Sequence, residues 1–196
     1  MSRVNQLFCS SAARPKAGRN CRLGVAALEA REVPATFVAN IFDDPFFFTA
    51  DGLSLRQAIS RANANPGPDT IVLKAGTYTQ SLVGNDNTNA AGDFDVIGPL
   101  TIVGAGPGST VITGNHTDRL FDVIGPGTVR FSDLALIRGG TTALNGGAVQ
   151  ALSANIVLDN VLAVENLGQT GGAINAEGGA VTVRRSQLLT NSAAQE

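Results

Sequence analysis

The hexapeptide Phe94-Asp-Val-Ile-Gly-Pro99 returns unchanged as Phe121-Asp-Val-Ile-Gly-Pro126, 27 residues later. A step of this size marks an internal repeat, a unit that must stack on its neighbours to bury a face it cannot bury alone. Short alternating runs fall at the same phase: Ile71-Val-Leu73, Leu100-Thr-Ile102, Val129-Arg-Phe131, Ile156-Val-Leu158 and Val181-Thr-Val183, with starts 29, 29, 27 and 25 residues apart. In each, the first and third residues are apolar, as a strand with one buried face requires. A second strand follows at Leu134-Ala-Leu136, Val161-Leu-Ala163 and Ser186-Gln-Leu188, and a third at Phe94-Asp-Val96, Phe121-Asp-Val123, Val149-Gln-Ala151 and Ile174-Asn-Ala176. Between them Gly139, Asn166 and Asn191 form a column of residue types that tolerate left-handed backbone, and they are expected to make a one-residue corner. Together with the pairs Gly146-Gly147, Gly171-Gly172 and Gly178-Gly179, the pattern specifies an all-β chain folded as a parallel β-helix with three strands per coil.

Composition agrees with a narrow solenoid interior. The chain of 196 residues has 23 glycines, no tryptophan and 5% aromatics, leaving Val, Ile, Leu and Ala to fill the core. A net charge of -2 is too close to neutral to argue for a nucleic-acid or acidic-surface partner, and no nucleic-acid partner is expected. There is no Gly-rich phosphate loop before a helix, no thiol or imidazole cluster for zinc and no aromatic face for stacking bases. No run approaches the roughly 18 apolar residues of a membrane span, and none supplies the apolar core of about 7–15 residues of a secretory signal.

Three regions follow. Residues 1–34 read as a basic, disordered leader, with Arg3, Arg14, Lys16, Arg19, Arg22 and Arg31 against Glu29 and Glu32; its Cys9 and Cys21 read as free thiols. Residues 35–69 hold a strand over 35–42, turned by Asp43-Asp44-Pro45, then Phe46-Phe47-Phe48, which is expected to plug the open end of the solenoid. Ser54-Leu-Arg-Gln57 has the form of a helix capping box, and Leu55, Ala58, Ile59 and Ala62 fall on one face of a short amphipathic helix expected to lie over the N-terminal mouth as a lid. Residues 70–196 are the coils. They stop in mid-coil without a cap, so further coils or a C-terminal anchor are expected.

The run Ala50-Asp-Gly-Leu-Ser-Leu-Arg-Gln-Ala-Ile59, then Ala62-Asn63, Asp69-Thr-Ile-Val-Leu73 and Gly76-Thr-Tyr78, resembles the N-terminal CSLREA module of bacterial β-helix surface proteins, with Leu53 where that family has a cysteine. The resemblance spans about residues 35–192. It implies a right-handed, pectin-lyase-like solenoid that is secreted or held at the bacterial cell surface. Residues 22–35 are similar to a leader common on large bacterial surface proteins, which implies export. Gly146-Gly-Ala-Val149, and Asn166 followed by Gly171-Gly-Ala-Ile174, resemble the repeats of polymorphic membrane proteins, which are autotransporter adhesins; Val164 and Leu189 stand at or beside the place of that family's phenylalanine.

Candidate chemistry sits on the third strands. Their middle residues, Asp95, Asp122, Gln150 and Asn175, are expected to point outward as a polar column of binding residues about 4.8 Å apart. Two stacked carboxylates tolerate each other only with a cation between them, an arginine beside them, or a proton on one. Asp93, Asp95, Asp122 and Arg119 would form the site of a carbohydrate-active enzyme, a polysaccharide lyase or glycoside hydrolase, as the alternative function. Lys74 is the sole lysine in the coils and His116 the sole histidine, set in a loop; neither stands with a catalytic partner. Asp86, Asp93 and Asp95 are the candidate calcium oxygens, although the glycine of residues 80–92 falls too late for a helix-loop-helix calcium loop, which favours a solvated loop. The sequence therefore points to a non-enzymatic, adhesin-like scaffold presenting polar ladders to a glycan or partner protein, with a purely structural stalk as a third reading.

Overall fold

The computed structural model describes residues 33–47 and 52–194. The leader, all but its last two residues, lies outside the described residues with Cys9 and Cys21, as do Phe48, Ala50 and Asp51. The fold is a parallel β-solenoid of about five turns. Its strands are β1 (Thr36–Ala39), β2 (Asp69–Leu73), β3 (Gly76–Thr79), β4 (Phe94–Val96), β5 (Leu100–Val103), β6 (Thr110–Thr113), β7 (Phe121–Val123), β8 (Gly127–Ile137), β9 (Val149–Leu152), β10 (Ala154–Val164), β11 (Leu167–Gly168), β12 (Ile174–Glu177), β13 (Val181–Arg184), β14 (Gln187–Leu189) and β15 (Ser192–Ala193). The one helix among the described residues is α1 (Leu55–Ala64).

The coils stack on three faces, with β11 and β15 paired separately. The first stacks β1, β2, β5, the front of β8, the front of β10 and β13; the second stacks β3, β6, the rear of β8, the rear of β10 and β14; the third stacks β4, β7, β9 and β12. All pairings are parallel. In the middle coils the first two strands run on as single strands, β8 and β10, bent at Asp133 and Asn160, which hold left-handed φ values of 55° and 54°. Such a conformation costs roughly 1–2 kcal/mol in a residue with a side chain. Asn160 Nδ2 offsets part of it by donating to Asp133 Oδ1 at 2.6 Å.

Through the front of β10 the alternation predicts the inward residues correctly, whereas Val181 and Val183 of β13 are exposed. Ile71, Ile102, Phe131 and Leu158 all point into the core, and Phe94 stacks on Phe121 (5.3 Å between centroids) and Phe121 on Phe131 (4.8 Å). One register differs. Leu100 pairs with Asp69, and Ile71 with Ile102, so the first coil is two residues longer than the spacing of the runs suggests. A slip of two keeps every side chain on its own face, which is why alternation cannot detect it.

The expected corner also moves by one residue. Left-handed backbone falls on Arg138, Glu165 and Thr190, while Asn166 and Asn191 act through their side chains. Asn166 Oδ1 accepts from Gly139 N and its Nδ2 donates to Leu136 O; Asn191 Oδ1 accepts from Asn166 N and its Nδ2 donates to Ala163 O. The asparagines form a ladder that satisfies backbone groups freed by the turn. Gly139 tops this ladder for want of room: a Cβ there would lie 2.3 Å from Gly147 O and 2.7 Å from Leu120 Cγ.

The helix is the lid. Ser54 Oγ accepts from Gln57 N and Gln57 Oε1 accepts from Ser54 N, both at 3.2 Å, closing the capping box. Leu55, Ala58, Ile59 and Ala62 are buried against the first coil. Phe46 and Phe47 do not plug it. They are 69% and 76% exposed and pack edge-to-face on each other, because the helix already covers the mouth they were expected to fill. At the other end Val181, Val183, Leu188 and Leu189 of the last coil are exposed.

What ties the lid down is a buried arginine that helical periodicity does not single out. Arg56, 4% exposed, makes paired 2.8 Å bonds from Nε and Nη2 to the two carboxylate oxygens of buried Asp44, donates to Gly92 O and Asp93 O, and lies 4.7 Å over the Phe94 ring. It is joined at one end to the turn after β1 and at the other to the start of the third face. Removing one partner of a buried pair leaves the other charge uncompensated. Arg56→Met is therefore expected to lower stability by about 3–5 kcal/mol in urea unfolding, with Asp44→Leu added to it recovering part of the loss; an unchanged midpoint for the single variant would contradict this.

Candidate functional site

The third face brings the expected column together in register: Asp95 pairs with Asp122, Asp122 with Gln150, and Gln150 with Asn175. Each strand is held by its inward residues, Phe94 and Val96, Phe121 and Val123, Val149 and Ala151, so the middle residue must face out of the coil. The column is not an open face along its length. Asp95 is 0% exposed, because residues 80–92 fold back over it.

Asp86 organises that excursion. Its Oδ1 accepts from Thr88 N and Thr88 Oγ1 at 2.7 Å and from Ala90 N, and its Oδ2 accepts from Ala91 N. Those hydrogen bonds to its charged form hold the Asp86 carboxyl below the usual carboxylate range, against the opposing effect of burial. Asn89, at a left-handed φ of 61°, then clips the loop in place: its N–H donates to Asp95 Oδ2 at 2.7 Å, its Oδ1 accepts from Asp95 N, and its Nδ2 donates to Arg56 O and Ser60 Oγ. Asn63 of the lid helix donates to Asp95 O. Asp86 and Oδ2 of Asp95 thus have other partners, and no group of three or more His, Cys, Asp or Glu side chains converges as a metal cage would among the described residues.

Asp93, Asp118, Arg119 and Asp122 lie together beside the column. Arg119 Nε donates to Asp93 Oδ2 at 2.6 Å, its Nη2 stands 3.8 Å from Asp122 Oδ2, and its Nη1 donates to Asn145 O at 3.4 Å. Asp118 Oδ1 accepts from Arg119 N. Of the three ways to relieve stacked carboxylates, the arginine is present. Burial also raises the affinity of these carboxyls for a proton. Burial, and then the Asp118 carboxylate, push Asp93 up to about 7 against the pull of Arg119. Burial, with Asp122 adding to it against the Asn89 hydrogen bond, pushes Asp95 up to about 6, and burial raises Asp122 as well. Asp95 Oδ1 and Asp122 Oδ1 are both buried, and neither has a hydrogen-bond partner among the described residues.

Beyond Asp122 the column opens into a cleft of about 360 Å³ lined by Arg119, Asp122, Ala143, Leu144, Asn145, Gln150, Leu152, Gln169 and Glu177. Gln150 and Asn175 are locked to each other and to Glu177: Asn175 Nδ2 donates to Gln150 Oε1 at 2.9 Å and to Glu177 Oε1 at 3.0 Å, and Gln150 Nε2 donates to Glu177 Oε1 at 3.4 Å. Asp122 and Gln150 are therefore in the wall of the cleft, Asn175 behind it, and Asp95 sealed away at the lid end. His116 and Lys74 take no part; the His116 backbone N–H donates to Arg138 O in its corner. Sequence reasoning missed Arg56, Asn89, Asn145, Gln169 and Glu177. Glu177 alone carried a signal, two positions beyond Asn175 on the same outward side of β12.

No family model, curated protein or solved structure matches the chain.

The raised carboxyls give stability a definite pH dependence. Between the unfolded value of about 3.9 and the native value near 7, folded Asp93 holds a proton that the unfolded chain has lost, so its stabilising contribution is full at low pH and declines as pH rises through that window. Asp95 acts with the same sign up to about 6, whereas Asp86 acts in the opposite sense and at lower pH. The urea midpoint is expected to fall from pH 5 to pH 8, and Asp93→Asn to flatten that fall; a midpoint that rises over this range would contradict the assignment.

Proposed function

We propose that the chain is a non-enzymatic, adhesin-like β-helix scaffold, secreted or displayed at the bacterial cell surface, that offers the polar column of its third face to a glycan or a partner protein. The observation that carries this reading is the in-register series Asp122, Gln150, Asn175, which turns a repeated sequence into a rigid polar wall opening on a cleft. Rigid solenoid faces gain strength by repetition of weak contacts, the arithmetic of multivalency. The likeness of residues 50–78 to the CSLREA module, and of the Gly-Gly-Ala and asparagine positions to polymorphic membrane protein repeats, supports the placement at a bacterial surface. The exposed Val181, Val183, Leu188 and Leu189 are suited to take a further coil or a partner against the last turn.

The enzyme alternative fits the geometry less well. A glycoside hydrolase needs two carboxyls that reach the scissile bond. Asp93 is 4% exposed and bonded to Arg119, and Asp95 lies under the residue 80–92 loop, so of the three candidate carboxyls Asp122 alone reaches the cleft; the other carboxylate in its lining, Glu177, is held by the Gln150 and Asn175 amides.

The full chain should bind weakly to glycans or cells as a monomer and much more strongly when displayed in many copies, measured on a glycan array and by cell adhesion. It should leave polyuronates and neutral polysaccharides uncut in the presence of calcium. Cleavage that disappears in Asp122→Asn would overturn the non-enzymatic reading, and a blank in both binding assays would leave only a stalk.

A further inference from the structure

The lining of the cleft restricts what can enter it. Its charged groups are Arg119, Asp122 and Glu177, and the arginine is already committed to Asp93, to the Asn145 carbonyl and to the neighbourhood of Asp122. Counted over the wall, carboxylates outnumber free cationic donors. Two oxygens of the wall, Asp122 Oδ1 and Asn145 Oδ1, are buried without a donor among the described residues. Gln150 spends one amide N–H on Glu177 and its amide oxygen on Asn175, and Glu177 Oε1 is the common acceptor of two amides. Gln169 contributes a side-chain amide, two N–H donors and an acceptor oxygen. The rest of the wall is apolar: Ala143, Leu144 and Leu152, the last of them exposed on β9. At about 360 Å³ the cleft is at the small end of the range of small-molecule sites, roughly 300–1,000 Å³.

We infer that this cleft is a sugar subsite selective for hydroxyl-rich residues that bear no carboxylate, sulfate or phosphate, the apolar ring face resting on Leu144 and Leu152 and the hydroxyls donating to Asp122, Gln169 and Glu177. The inference rests on the proposed glycan-binding function and narrows its ligand class. The chemistry is that of negative charge with buried oxygens that lack donors. A hydroxyl or an amine supplies protons to those oxygens, whereas an anionic sugar would meet like-charge repulsion from the Asp122 and Glu177 carboxylates. The apolar strip supplies what a purely polar face lacks, a surface on which the C–H face of a pyranose excludes water. Selection against acidic glycans follows from repulsion as much as from fit.

The test compares matched oligosaccharides of neutral hexoses, amino sugars and uronic acids against the full chain by titration calorimetry. Three variants at partly exposed positions accompany it, Leu152→Ser, Gln169→Ala and Glu177→Gln, each checked by thermal unfolding. Wild-type protein should bind the neutral or amino series and not the uronates. Leu152→Ser and Gln169→Ala should each weaken that binding by about tenfold, equivalent to about 1.4 kcal/mol, with the melting temperature unchanged. Glu177→Gln, which keeps an amide oxygen where the carboxylate accepted, should admit uronates while retaining neutral sugars. Uronates bound by the wild type as tightly as neutral sugars would overturn this selectivity and leave the glycan-binding proposal standing. Neutral binding indifferent to all three variants would remove the site from the cleft. Binding to none of the three series would overturn both the selectivity and the glycan-binding function.

Discussion

From Thr36 to Glu177 each turn of backbone gives its N–H and C=O groups to the turn beside it in parallel register, so a residue's surroundings are set by its counterpart one coil away. This single constraint converts the repeated Phe-Asp-Val into two structures at once: a stack of Phe94, Phe121 and Phe131 rings inside, and a file of Asp95, Asp122, Gln150 and Asn175 outside. The inner stack is favoured by burial and by tilted or edge-to-face ring contact. The outer file is not favoured in itself. It brings carboxylates together, and the neighbouring Arg119 and the Asn89 amide make that arrangement tolerable.

A solenoid must also end. Among the described residues no full turn precedes the first coil to cover its core, and a sheet edge left unprotected invites association. At the N-terminal side the solution is α1, with its apolar stripe laid on the first coil and Arg56 fastened to Asp44, Gly92 and Asp93. The same arginine rests on Phe94, so the aromatic stack begins at a cation instead of at solvent. Lid and site are coupled through Asn89, which bonds to Arg56 O on one side and to Asp95 on the other. The long excursion of residues 80–92 is thus part of the cap, and it is what confines the accessible part of the column to Asp122 and beyond.

Period-two alternation made the three faces, the core residues and the third-strand column legible in the sequence, because each depends only on which side of a strand a residue occupies. Three features depend on more than that and were not legible. The two-residue register slip at Ile71 and Ile102 leaves every face unchanged. The corner column at Asn166 and Asn191 is dictated by side-chain bonds to neighbouring coils, not by the backbone angle those residue types suggest. The burial of Asp95 arises from Asn89 and Asn63, respectively 6 and 32 residues away in sequence, and no local pattern encodes a roof of that kind. The aromatic run misleads for a related reason: hydrophobicity marks Phe46 and Phe47 for burial, but the helix stripe takes the place available.

The column is the premise of the functional account, and disulfide trapping reads it directly. In a chain whose Cys9 and Cys21 are replaced by serine, cysteines at Gln150 and Asn175 would sit in register about 4.8 Å apart, within the roughly 4.4–6.8 Å between Cα atoms that a disulfide spans. A second pair at Gln150 and Glu177, displaced by two residues along the strand, would lie beyond that span. Mild oxidation is expected to link the first pair rapidly and the second poorly, scored by gel mobility. Efficient linkage of 150 to 177 with none of 150 to 175 would mean the coils stack in another register, and the polar wall built from Asp122, Gln150 and Asn175 would not exist.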